Sequence, residues 1–177
     1  MKSILKMAMF AAVCSAATVM AEPLKIDSKF TVNEKNELKF WGISGKHENV
    51  TLEAVESSDK QGHAAFLETA ERSVPLAYRG LWRIDKYKEL TFSVGVRGNG
   101  GFAVQLHLYN EKDRYVTCRV LLEGRGAGDT VKTYTGKVEV PQEINGQKIR
   151  YGRVHLLSFK NTQLVYENVS MDGVPRQ

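Results

Sequence analysis

Cysteine and proline are the scarce residues of this chain, with 2 and 4 among 177 positions. Cys14 lies in a segment that reads as a leader, which leaves Cys118 alone in the remainder. A domain with one cysteine has no internal disulfide, so its apolar core must hold it together. No Pro-rich linker, low-complexity stretch or internal repeat divides the sequence. No apolar run reaches the ~20 residues of a membrane-spanning helix, so no membrane insertion is expected. The 25 basic and 20 acidic residues give a formal charge of +5, yet no Lys/Arg-rich run marks a nucleic-acid surface.

Catalytic signatures are missing too. Neither a Gly-x-Ser-x-Gly elbow, a His-Glu-x-x-His helix nor a P-loop occurs. His47, His63, His107 and His155 lack the close spacing of a zinc site. Glycoside hydrolysis needs two carboxylates about 5–10 Å apart. Here Glu53, Glu56, Glu68, Glu123 and Glu139 scatter over turns and exposed alternations. The sequence therefore points away from an enzyme.

What is present begins with a leader. Lys2 and Lys6 precede the apolar run Met7 to Val13, and Val19-Met20-Ala21 supplies small residues at a cleavage site, placing the cut before Glu22. Val13 stands before Cys14 where lipidation wants Gly, Ala or Ser, so soluble export to the periplasm or medium is expected. Loss of two lysines lowers the formal charge from +5 to +3, and residues 22–177 form one expected domain.

That domain reads as strand after strand. Alternating apolar and polar residues mark Leu38–Trp41, Val50–Val55, His63–Glu68, Ala77–Ile84, Glu89–Arg97, Phe102–Tyr109, Tyr115–Leu122, Thr133–Val140, Arg150–Ser158 and Gln163–Met171. Gly98-Asn99-Gly100-Gly101 has the composition of a hairpin turn, Asn110-Glu111-Lys112-Asp113 that of a second, and Gly124 to Asp129 that of a flexible loop. About ten short strands at this spacing predict an all-β sandwich.

Strand periodicity also divides faces. Leu90, Phe92, Val94 and Val96 point inward, as do Phe102, Val104, Leu106 and Leu108, and then Val116, Cys118, Val120 and Leu122. The outer set is Ser93, Gln105, His107, Tyr109, Tyr115, Thr117 and Arg119, with a hollow at Ser93 and Gly95. Phenols offer flat faces to sugar rings, while amides, imidazole and guanidinium pair with hydroxyls. A solvated face with aromatics at the hairpin end accounts for the same pattern. Trp41 and Trp82 are expected in the core, and Arg79, Arg83, Arg97, Arg119 and Arg153 on outer faces, scattered in solvent unless several converge on an acidic glycan.

Gly62-His63-Ala64-Ala65-Phe66-Leu67, the strand Leu90 to Gly98 (LTFSVGVRG), the closing Leu164 to Met171 (LVYENVSM) and the early Trp41 together resemble the corresponding segments of a CenC-like carbohydrate-binding module, of the galactose-binding-like jelly rolls. The resemblance implies a jelly-roll β-sandwich of two antiparallel sheets that binds polysaccharide or oligosaccharide without catalysis, as a monomer. Gln105, His107, Tyr109, Tyr115 and Arg119 would contact the sugar. The family's opening turn carries an acid that helps hold a structural calcium, whereas Asp27-Ser28-Lys29-Phe30-Thr31 offers Thr there. Calcium is thus left open, with Glu167 as candidate ligand. Gly95 stands where the family often has an aromatic, which shifts stacking onto Tyr109, Tyr115 or Trp82. A structural or protein-interaction sandwich of the cell envelope is the alternative.

Overall fold

The computed structural model describes residues 20–177; the leader expected up to Ala21 lies almost wholly outside them. The described residues form strands and turns without a helix. In chain order the strands are β1 (Glu22–Pro23), β2 (Trp41–Ile43), β3 (Val50–Glu56), β4 (His63–Thr69), β5 (Val74–Tyr78), β6 (Trp82–Arg83), β7 (Tyr87–Asn110), β8 (Tyr115–Glu139), β9 (Glu143–Ile144), β10 (Gln147–Ser158) and β11 (Thr162–Pro175). All of their pairings are antiparallel.

Two strands are far longer than their neighbours. β7 and β8 run 24 and 25 residues and pair with each other from Glu89–Glu139 down to Tyr109–Tyr115. The first half of β7 pairs with β11, which continues through β4 to β3. Its second half pairs with β10, which continues through β5 to β2. One bent hairpin thus supplies a strand pair to each of two sheets, and the sheets form a jelly-roll β-sandwich.

This corrects two turn assignments. The Gly98–Gly101 segment does not reverse the chain, and Gly124–Gly128 is not a free loop. Gly98 pairs with Gly128, Gly100 with Gly126 and Phe102 with Gly124, inside the ladder. The glycines are needed because backbones cross closely where the hairpin changes sheets. At Gly98, φ is +101°, and a Cβ there would stand 2.1 Å from the Gln163 carbonyl oxygen. A Cβ on Gly126 would meet the Gly98 carbonyl oxygen at 2.7 Å. The second turn forms as expected: the Asn110 side-chain oxygen accepts bonds from the amides of Lys112 and Arg114, each at 3.0 Å.

The core fills the space between the sheets. Leu90, Phe92, Val94 and Val96 face Val104, Leu106 and Leu108 from the other half of the same strand, joined by Leu76, Val154, Leu156, Leu164 and Tyr166, all fully buried. Phe102 packs edge-on against Tyr134 and Tyr166, with centroids 5.0 and 5.9 Å away. The Tyr166 hydroxyl meets Ser158 Oγ at 2.7 Å, a buried polar link between β11 and β10. At one end Phe30, Trp41, Tyr78 and Trp82 form a continuous aromatic chain with centroid spacings of 5.2, 5.2 and 4.4 Å. Trp41 is fully buried as expected, whereas Trp82 is half-buried. Their indole nitrogens donate to the carbonyls of Asp27 and Lys25, tying the incoming chain to the sandwich.

Gly98→Ala should lose about 2 kcal/mol or more of unfolding free energy, since strain at positive φ adds to a backbone clash. Gly146→Ala, also at positive φ but with nothing within 4 Å, should lose about 1 kcal/mol. Chemical denaturation of the two variants measures the difference; equal losses would remove the close crossing as the reason for Gly98.

Candidate functional site

Strand pairing fixes which side chains share a face, because directly opposed residues point the same way. In the sheet of β8, β7, β10 and β5, the inward set is Leu106 opposite Val154 and Leu108 opposite Gly152. The outward set falls into rows. Tyr109 lies opposite Tyr115 on one side and Tyr151 on the other; His107 lies between Cys118 and Arg153; Gln105 lies between Val120 and His155. Successive rows are about 6.7 Å apart along the strands. A tyrosine row therefore borders two rows of hydrogen-bonding groups.

Four of the five residues expected to contact sugar come together here: Gln105, His107, Tyr109 and Tyr115. Arg119 does not join them. Register shifts between Leu108 and Tyr109 and between Val104 and Gln105 mark β-bulges in β8, and one extra residue inverts every side chain until the next bulge. Thr117 and Arg119 accordingly lie opposite Leu108 and Leu106, on the core side of this edge strand. Cys118 and Val120, expected inside, turn outward: Cys118 is half-buried opposite His107, and Val120 is 50 % exposed while Leu121 is 6 % exposed.

Ser93 is likewise elsewhere, in the other sheet, where it shares a 2.7 Å hydrogen bond with Thr135. The hollow expected at Gly95 is filled by Val131 and Glu167, whose atoms would press on a Cβ at 3.0–3.3 Å. Periodicity alone did not bring Tyr151 and Arg153 to the face; His155 was placeable there once its strand was known to adjoin Phe102–Tyr109. The signal for all three lay in their alternation along β10, opposite an already assigned strand.

The rings are tightly arranged. His107 and His155 stack with centroids 3.7 Å apart and planes 9° from parallel. Tyr115 lies 5.3 Å from His107 and 6.0 Å edge-on from Tyr109. The Arg153 guanidinium sits 5.5 Å from the centre of the Tyr109 ring. His155 is only 4 % exposed, and neither of its ring nitrogens has a protein hydrogen-bond partner. Burial, then the adjacent His107 and Arg153, push the His155 imidazole down to about 3. Burial and Arg153 also lower His107. At neutral pH both rings are uncharged, and each offers one donor and one acceptor.

Glu167 does not fit a calcium site. Its buried carboxylate accepts bonds from the Ser58 amide at 2.7 Å and hydroxyl at 2.8 Å, with Arg97 Nε at 3.4 Å. A guanidinium thus stands where a metal would need six to eight oxygens. Among the described residues no cluster of three or more His, Cys, Asp or Glu could hold a metal. No helix among them is long and apolar enough to cross a membrane.

No protein-family model and no curated protein matches the chain, so membership of the CenC-like family is not established. Solved structures do match. The family 11 carbohydrate-binding module of a Clostridium thermocellum cellulosomal cellulase superposes with a TM-score of 0.59 at 14 % identity, covering 91 % of this chain and 99 % of that one. A xylan-binding domain from Paenibacillus barcinonensis gives 0.61 at 9 % identity, covering 91 % and 100 %. A Clostridium thermocellum xylanase comprising a binding module and a catalytic module gives 0.60 at 13 % identity, covering 88 % of this chain but 28 % of its own. The fold is therefore that of carbohydrate-binding modules, a jelly-roll sandwich with antiparallel sheets.

Between pH 6.5 and 3 the unfolded chain protonates position 155 while the folded chain does not, so stability is lost as pH falls through that window. His155 alone should cost about 2 kcal/mol between pH 7 and 5. Denaturant unfolding at the two pH values should show a correspondingly smaller loss in His155→Gln; an unchanged loss would mean that the folded imidazole protonates normally.

Proposed function

We propose that this protein is an exported, non-catalytic carbohydrate-binding module that holds a saccharide chain against the outer face of the β7–β10 sheet. One observation carries the reading: a row of three tyrosines adjoins two uncharged, stacked imidazoles, and the buried one has two ring nitrogens without a protein partner. Tyr109 and Tyr115 supply flat apolar surface for the CH face of a pyranose. Gln105 and His107 supply donors and acceptors for vicinal hydroxyls, while His155, with both ring nitrogens buried, stacks against His107 and supports its ring. The two-residue step between adjacent rows sets the readers about 6.7 Å along the strands from the platform, and a four-residue step reaches about 13 Å, long enough for more than one sugar ring.

The likeness to modules that bind xylan supports this function through the fold, and the side chains on the face support it chemically. Nothing on the face resembles a catalytic pair. Its three middle rows carry no carboxylate, whereas glycosidases place two around the scissile bond.

Affinity electrophoresis of the purified protein in gels containing soluble polysaccharides tests the site. Retardation by a polysaccharide should weaken roughly 10-fold or more in Tyr109→Ala and in Tyr115→Ala, the cost of about 1.5 kcal/mol of aromatic contact. Thr133→Ala, in the other sheet, should leave it unchanged. Retardation that survives both tyrosine variants would move the sugar to another surface.

A further inference from the structure

Arg153 is the one feature of this face that sugar binding in general does not require. Its side chain is half-buried at the centre of the face, opposite His107, and its guanidinium lies over the Tyr109 ring. The Nε atom is buried without a hydrogen-bond partner, and among the described residues no carboxylate lies within 4 Å of the guanidinium. Arg83, opposite Tyr151, is paired with Asp85 at 3.0 Å. Arg150 also has a buried Nε without a partner, but it stacks on Tyr151 outside the His107 and Gln105 rows and lines a groove with Asp85, Glu111, Glu143 and Lys148. Glu123, on the same face, is held opposite Ala103, two rows or about 13 Å along the strands from the Arg153 row.

A guanidinium held away from bulk water normally has a counter-charge. Here the neighbours are two imidazoles that stay neutral and a phenol ring, which offset only part of the loss of hydration. The charge is also fixed, since arginine does not deprotonate. We propose that the saccharide bound by this face is acidic, a polyuronate with a carboxylate paired to Arg153 while the chain packs against Tyr109 and Tyr115. A planar fork matches a carboxylate bidentately. A densely sulfated chain would call for a row of cations, and the three middle rows hold Arg153 and no lysine. This inference rests on the sugar-binding reading and narrows it.

Affinity gels containing polygalacturonate or alginate provide the test. Each polymer is run beside its carboxyl-reduced form, a neutral xylan and a sulfated galactan. The wild-type protein should be retarded by at least one polyuronate, with affinity roughly 10- to 100-fold lower for the reduced polymer and for Arg153→Gln. Arg153→Lys, which keeps charge but loses the fork, should fall between. Raising salt should weaken polyuronate binding. Equal affinity for a polyuronate and its reduced form, or preference for xylan or sulfated galactan, overturns the acidic class and leaves the sugar-binding face standing. No retardation by any polymer overturns both. Thermal melting reports whether Arg153→Gln is folded; if it is not, the reduced polymers decide the matter alone.

Discussion

The close crossing of backbones at Gly98 and Gly126, with side chains packed directly onto Gly100 and Gly124, is the constraint on which this sandwich depends. A β7–β8 hairpin kept in one plane would belong to one sheet. Bent at these glycines, it lends its first half to the sheet of β11, β4 and β3, and its second half to that of β10, β5 and β2. The same strand then lends both of its halves to one core, Phe92 and Val94 from the first and Leu106 and Leu108 from the second. The two sheets are covalently and sterically one unit, and a fault at the crossing is felt by both.

The face proposed to bind saccharide inherits its geometry from that bend. Once the second half of β7 is fixed beside β10, antiparallel register places Tyr109 with Tyr151, His107 with Arg153 and Gln105 with His155. None of these positions lies on a long loop. The polar groups are held by paired backbone, so little conformational entropy remains to be lost when a ligand orders them. Stacking of His107 on His155 also keeps both rings neutral through burial and the neighbouring guanidinium. The face can therefore exchange hydrogen bonds in either direction at neutral pH.

Alternation made the strands legible, from Val50 to Glu56 and from His63 to Thr69 almost to the residue. Inward residues of β7 were equally plain, because its face is uninterrupted from Phe102 to Leu108. Two things were not legible. Glycine clusters signal both chain reversal and close backbone approach, and local composition does not separate them; at Gly98 the deciding contact is the Gln163 carbonyl, 65 positions away in the chain. Bulges are also silent in a two-residue period, so Arg119 and Cys118 exchanged faces when Tyr115 to Leu122 gained extra residues against β7. Tyr115 kept its face because it precedes the first bulge.

β8 has one further property. It pairs with β7 along its length and with no other described strand, so one side of a 25-residue ladder is left without a partner. Long free edges of this kind are templates for strand addition and fibril growth. This one is broken by three register shifts, bent at Gly124 and Gly126, and carries Lys132 and Lys137 in exposed positions. The bend that joins the sheets thereby also spoils the flat edge that an incoming strand would need.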